Sequence, residues 1–455
     1  MGQADEHRPM SIEDSGGTVT PGYGEPSRCD VAVIGGGPAG STVSALLAEK
    51  GWHVEVLEKD HHPRFHIGES LLPHSMPMLE RLGVLDAVEG IGIRKYGAEL
   101  LSPEDGRTRT VYFANAVGES RPYAYQVKRA EFDEILFRNA AAKGARVHEG
   151  VRVKRVDFRP GRPSLVHAED RAGRASIREA RFVIDATGRD TFLSTQLGGK
   201  KPNREHKSAA VFSHFACVAR QSGLDEGNIS VAWFEHGWLW MIPFKDGTMS
   251  VGAVCWPYYL KARKTGLDAF LWDTIRLCPP IAERMREARS LMPAQTAGNY
   301  SYRRMTMSGA GHLFVGDAFA FVDPVFSSGV HLALNSGTLG AEVVDAYLRD
   351  SRAYPALLRD FERTVRLGVK TFSWFIYRFT QPAFRDLFLI EGSRFGIEQA
   401  VLALLAGNAF GQAPGRVPVL IFKLCYYLTA LFKIRGNWSA YRRRRHQSDW
   451  RAVGT

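Results

Sequence analysis

Residues Cys29–Glu58 read CDVAVIGGGPAGSTVSALLAEKGWHVEVLE. A short apolar run, Val31–Ile34, leads into the glycine turn Gly35-x-Gly37-x-x-Gly40. A helical pattern follows to Glu49, with Gly51 as a stop, and a second apolar strand, His53–Leu57, ends on Glu58. This is a βαβ unit carrying a dinucleotide fingerprint in its required context. Gly35 permits a tight turn, Gly37 lets backbone approach a pyrophosphate, and Gly40 lets the helix pack close to the sheet. Gly35, Gly37, Pro38, Ala39 and Gly40 are therefore expected to line the nucleotide, whose pyrophosphate would meet free N–H groups at the helix start. Glu58 is placed to accept from an adenosine ribose hydroxyl. The stretch alone leaves NAD and FAD open.

The chain has 455 residues, enough for two or three domains. The five cysteines, Cys29, Cys217, Cys255, Cys278 and Cys425, form no CxxC pair. No zinc site, other metal site or disulfide frame is expected, and a reduced, cytoplasmic setting fits. The formal net charge is +11, part of it in Arg442–Arg445. A solvated basic tail is the plain reading, and an acidic carrier protein the more specific one. No nucleic-acid partner is expected. Met1–Ser27 is polar and rich in Gly, Pro and Ser, lacks the charged and apolar regions of a signal peptide, and reads as a disordered tail.

Further along, Gly68, Glu69 and Ser70 follow the second strand closely enough to border a cofactor. Lys95 precedes a strand beginning near Gly97; a lone lysine is ordinarily a solvated charge. Arg129 opens a helix, where it would meet a phosphate or pair with a carboxylate. Arg181–Arg189, RFVIDATGR, is a buried strand running into a glycine turn. In GWLWMIPF, Trp238 and Trp240 are two apart and share one strand face, with Pro243 ending the strand. Such a pair is ordinary core, or a rigid wall for a planar ligand. In GHLFVGDAFAFVDPVFSSGVHLAL, Gly316-Asp317 stands at a strand's C-terminal end, where open α/β sheets bind ligands. Ser327-Ser328-Gly329 leads into a long helix starting near Val330, whose N–H groups suit a small anion or a ring carbonyl. The run VPVLIFKLCYYLTALFKI is marginal for a membrane span and reads as a core or interface helix, with peripheral membrane contact the weaker alternative.

Together the fingerprint, DATGR and GDAFAFVDP resemble an FAD enzyme of the aromatic-hydroxylase fold. Trp238-x-Trp240-x-Ile242-Pro243 matches the WxWxIP motif of the flavin-dependent halogenases. FHIGESLLP, RKYGAELL and DPVFSSGVHLAL resemble the branch of that family acting on phenols and carrier-bound substrates. The resemblance covers roughly Cys29–Phe388. It implies that FADH2 from a separate flavin reductase reacts with O2 to a C4a-hydroperoxide. Chloride or bromide then attacks it, and hypohalous acid reaches an aromatic substrate past a lysine. By motif position that lysine is Lys95, which either hydrogen-bonds the hypohalous acid or forms a haloamine. The resemblance also implies halide near Ser328 and Gly329, a tryptophan pair that keeps substrate off the flavin, and a barrier and substrate wall of Trp238, Trp240, Pro243 and Phe326. Asp317, Val330 and Arg129 would join Glu58 around the FAD. Tryptophan halogenases carry a Glu where this chain has Phe326, so an electron-rich phenol or pyrrole, free or tethered to an acyl or peptidyl carrier, is the expected substrate, in natural-product biosynthesis. The alternatives are an FAD-dependent monooxygenase, a prenyl-chain (geranylgeranyl-type) reductase, or a non-catalytic flavin-binding or membrane-associated scaffold.

The expected fold class is α/β. A Rossmann-like FAD domain of the glutathione-reductase type (28–95, 124–205 and 300–348) carries an inserted antiparallel β-sheet substrate domain (96–123 and 206–299). A helical region follows (349–455).

Overall fold

The computed structural model describes residues 26–116, 118, 121–304, 306–390, 396–410, 416–433 and 438. The expected N-terminal tail lies outside the described residues except for Pro26 and Ser27, and Ser27 opens the first strand. Arg442–Arg445 also lie outside them.

The first sheet is built on strand Ser27–Ile34, which pairs in parallel with Val54–Glu58 on one side and Ala175–Asp185 on the other. Arg146–Glu149 and His312–Phe314 extend the parallel set outward. Helices cover both faces of such a sheet, which is why Val31–Ile34 is apolar at every position rather than alternating. Helix Pro38–Glu49 packs between Arg129–Ala142 and Ser328–Leu348. Val31, Val33, Leu47, Val56 and Phe137 are buried in the core they share.

The second sheet runs in the order Ala320–Phe321, Gln295–Arg304, Lys200–Ala216, Met249–Cys255, Gly237–Pro243, Ile229–Phe234, Gly97–Ser102, Arg107–Tyr112. It is antiparallel except where Ile229–Phe234 pairs in parallel with Gly97–Ser102. Two strands cross the expected domain limits: Lys200–Ala216 and Gln295–Arg304 pair in this sheet on both sides of those limits, with a register shift between Pro202 and Lys207. Alternation sorts its side chains into two cores. Trp238, Trp240 and Ile242 join an aromatic cluster, while Leu239 and Met241 face the opposite one.

The described C-terminal residues form helices Tyr354–Ile376, Pro382–Leu389, Ile397–Leu405 and Arg416–Phe432. Phe375, Phe379, Phe384, Phe388 and Phe422 from this region fill the space behind Trp238 and Trp233. His331, on helix Ser328–Leu348, ties the region down. Its Nε2 lies 2.9 Å from the Gly407 carbonyl, and Ser75 Oγ lies 3.2 Å from its Nδ1. A carbonyl only accepts, so Nε2 carries the proton and the serine hydroxyl donates to Nδ1. Among the described residues, no helix is long and apolar enough to cross a membrane.

Candidate active site

A cavity of about 1320 Å³ runs from the glycine turn to the face of the second sheet. At one end, backbone contact dictates the glycines. Gly35 has φ +102°, and a Cβ there would fall 2.5 Å from the Ala186 carbonyl oxygen. A Cβ on Gly40 would fall 1.9 Å from the Gly35 carbonyl oxygen, while Gly37 faces open space with only the Arg64 guanidinium at 3.5 Å. Pro38 and Ala39 start the helix and also line the cavity. Glu58 is buried beside them, accepting from Gly36 N–H at 2.7 Å and Asp60 N–H at 3.0 Å. These bonds aim the carboxylate at the cavity wall, as a ribose acceptor requires.

Two arginines stand nearby. Arg129 pairs with buried Asp133 through Nε at 2.7 Å and Nη2 at 3.0 Å, and its Nη1 donates to the Ile67 carbonyl at 3.0 Å. The carboxylate alternative therefore holds for Arg129, although the side chain still lines the cavity. Arg64 also lines it, 3.4 Å from Asp133 and 3.7 Å from Glu58. Sequence reading missed Arg64, because nothing in HHPRFH distinguishes it from a surface charge.

The buried Asp185 carboxylate fixes the turn between strand Ala175–Asp185 and the cavity, accepting from Thr187 N–H at 3.0 Å and Leu193 N–H at 2.8 Å. Asp317 lines the wall beyond it. Removal from bulk water pushes its carboxyl up to about 6, against the pull of Arg189 and Arg129. Helix Ser328–Leu348 begins here. Ser327 takes the left-handed conformation at φ 55° before it. Ser327, Gly329 and Val330 reach the cavity. Ser328 does not line it, and its side chain is buried. Phe326 does not line it either; its ring meets Phe379 at 5.3 Å, edge to face.

Trp238 and Trp240 close the far side, with ring centroids 5.7 Å apart. Trp240 Nε1 donates to Ser250 Oγ at 3.1 Å. Gly252 makes room for the indole, since a Cβ there would lie 2.4 Å from the Trp240 ring and 2.5 Å from Phe212. Pro243 is not part of this wall. Side-chain alternation turns it to the other face, and Ile242 lines the cavity instead.

Lys95 is not a surface charge. It is 2% exposed, and Nζ donates to Ser70 Oγ at 2.8 Å and to the Leu71 carbonyl at 3.1 Å. No carboxylate pairs with it among the described residues, and burial alone drives its pKa down to about 7. Lys95 does not itself line the cavity, but Ser70 does, so the hydroxyl stands between amine and cavity. Asn228 anchors the backbone just beyond, its Oδ1 accepting from Tyr96 N–H at 3.0 Å and Gly97 N–H at 2.6 Å.

Sequence reading named Glu69 only as a border residue. It is 1% exposed and lines the cavity. Its Oε1 lies 2.8 Å from His214 Nε2, and its Oε2 has no hydrogen-bond partner among the described residues. Among the described residues, no group of His, Cys, Asp or Glu could hold a metal ion.

The family model described as tryptophan halogenase matches residues 30–100 and 93–386. A tryptophan 2-halogenase of Chondromyces crocatus is 35% identical over 328 residues, 71% of this chain and 62% of that protein. The chain thus spans less than two thirds of that relative's length. A 1H-pyrrole-2-carbonyl-[peptidyl-carrier protein] chlorinase of Pseudomonas fluorescens is 28% identical, covering 84% of this chain and 89% of that protein. The myxobacterial chondrochloren halogenase CndH, described as a variant of FAD-dependent halogenases, superposes with a TM-score of 0.74 at 32% identity, covering 89% of this chain and 97% of that one.

Proposed function

Because the chain belongs to the flavin-dependent halogenase family, we propose that it halogenates an electron-rich aromatic ring, a phenol or pyrrole, free or carried on a carrier protein. The carrying observation is the buried, carboxylate-free Lys95 amine bonded to Ser70 at the wall of a cavity closed by Trp238 and Trp240. Bound reduced FAD would supply, with O2 and chloride or bromide, the electrophilic halogen. The glycine cradle, Glu58 and Arg64 fit its adenine and pyrophosphate half. The amide end of helix Ser328–Leu348 fits halide or the ring carbonyl beside the flavin. Lys95, about half of it neutral near pH 7, exchanges an N–H proton for halogen from hypohalous acid, with water leaving, and delivers that halogen beyond the wall. The tryptophan pair excludes substrate from the flavin itself.

A halogenated ring must lose a proton. Phe326 offers no carboxylate, being packed on Phe379. Among the carboxylates that line the cavity, Glu69 has an oxygen, Oε2, without a hydrogen-bond partner among the described residues, while its Oε1 lies 2.8 Å from His214 Nε2, and it is the acceptor we assign. A phenol needs one base for its hydroxyl and activates its own ring, which favours phenols over tryptophan here. The chlorinase relative favours a carrier-bound acyl group as the second substrate form. A separate flavin reductase would supply FADH2.

The test supplies purified protein with a flavin reductase, NADH, FAD and bromide or chloride, then a panel of phenols and carrier-bound pyrroles. A halogen isotope pattern in the product is expected. An added oxygen or two added hydrogens, with no halogen on any substrate, would overturn the reading.

A further inference from the structure

Helix Arg416–Phe432 buries one face and leaves the other bare. Phe422 and Tyr426 pack into the aromatic cluster behind the tryptophans. On the opposite side Val417, Leu420, Leu424, Leu428, Leu431 and Phe432 are 49 to 85% exposed. At 100° per residue these six fall within an arc of about 120°, along a helix about 25 Å long. A continuous apolar stripe of this kind on a protein surface marks a binding face.

Charge identifies the occupant. Residues 416–455 hold nine basic residues and one acidic residue, Asp449. This segment therefore supplies most of the chain's net +11. Tryptophan and tyrosine stand among the basic residues at Trp438, Tyr441 and Trp450, and Trp438 is 52% exposed. Apolar stripe, interfacial aromatics and polybasic sequence together are the chemistry of a helix lying in the plane of an anionic bilayer surface. A second copy is a poorer occupant, because it carries the same excess of positive charge.

We propose that helix Arg416–Phe432 docks the protein on an anionic lipid surface, its stripe entering the headgroup region and the excess of basic residues in 416–455 selecting anionic lipid. The helix lies on the membrane and does not span it, in keeping with its length and its half-buried Lys423.

The full chain is floated with phosphatidylglycerol–phosphatidylcholine vesicles and with phosphatidylcholine vesicles. Binding to the anionic vesicles, about tenfold weaker on phosphatidylcholine and weakened by salt, is expected. The variant Leu424→Glu/Leu428→Glu replaces only exposed side chains. It should keep its FAD content and near-ultraviolet circular dichroism while losing vesicle binding by about tenfold or more. Absence of binding to anionic vesicles, or equal binding by the variant, overturns the proposal. So does light scattering that shows a dimer split by the double substitution, or capture of an acidic carrier protein through this face without lipid binding.

Discussion

Lys95 Nζ lies 2.8 Å from Ser70 Oγ, with the ring of Phe113 5.2 Å away and, among the described residues, no carboxylate to hold a charge. A buried amine in that setting favours its neutral form. Halogenation should therefore rise with pH through about 7 as the amine loses its proton. If the ammonium were the working form, the rate would fall over the same range. Lys95→Met should abolish halogenated product while flavin binding and peroxide release from the reduced enzyme persist. Product mass spectrometry beside a peroxide assay checks both.

Glu69 is expected to act at the substrate rather than the flavin. Glu69→Gln should lower kcat for a phenol by about 10²-fold, the usual range for loss of a general base, and leave FAD affinity unchanged. The deficit should shrink as pH rises past the phenol's own pKa, since phenolate needs no base. A loss of FAD affinity in the variant would assign Glu69 to the cofactor instead.

Gly252→Ala is the cleanest disturbance of the wall. The added methyl meets Trp240 and Phe212, whose atoms lie inside 2.6 Å of it. Overpacking of this sort costs about 1–3 kcal/mol, and Trp240 must tilt. Denaturant unfolding should show the loss, and oxygenated or uncoupled product should rise relative to halogenated product.

Glu58→Ala removes the acceptor for Gly36 N–H and Asp60 N–H. An unsatisfied buried donor costs about 1–3 kcal/mol, so FAD affinity should fall about 10- to 100-fold by flavin fluorescence titration. NADH consumption by the flavin reductase added to the assay should be unaffected.

His331 gives the fold an acid limit. Burial pushes its pKa down to about 3, with His74 adding to the effect. Unfolded, the imidazole binds a proton near its ordinary value, so the unfolded state holds more protons between these two limits. Stability rises with pH there and is lost as pH falls from about 6.5 toward 3. His331→Gln should flatten that slope in thermal unfolding between pH 7 and pH 4.

The glycine turn and the place of Glu58 beside it were legible in sequence because they are local: Gly35, Gly37, Gly40 and Glu58 lie within one βαβ unit. The shared face of Trp238 and Trp240 followed from strand alternation, and the same rule, applied one step further, would have exchanged Pro243 for Ile242. Ser328 and Phe326 could not be placed, because which side chains a helix start shows to the cavity depends on the conformation of the turn before it. The pair Glu69 and His214 was out of reach for a different reason. The residues stand 145 apart in the chain, and only the packing of a loop onto the second sheet joins them.

The single parallel pairing in the second sheet has a mechanical consequence. Strand Gly237–Pro243, which carries the tryptophans, is bonded to Ile229–Phe234, and that strand to Gly97–Ser102, two residues from Lys95. Asn228 clamps the link between them. The tryptophan pair rides on this stiff plate, and Lys95, whose own strand Ile93–Lys95 pairs with Ala124–Gln126, is tied to it through two residues. The stride between them is set by the spacing of neighbouring strands, so substrates of different shape must be accommodated by the helices and loops facing that plate.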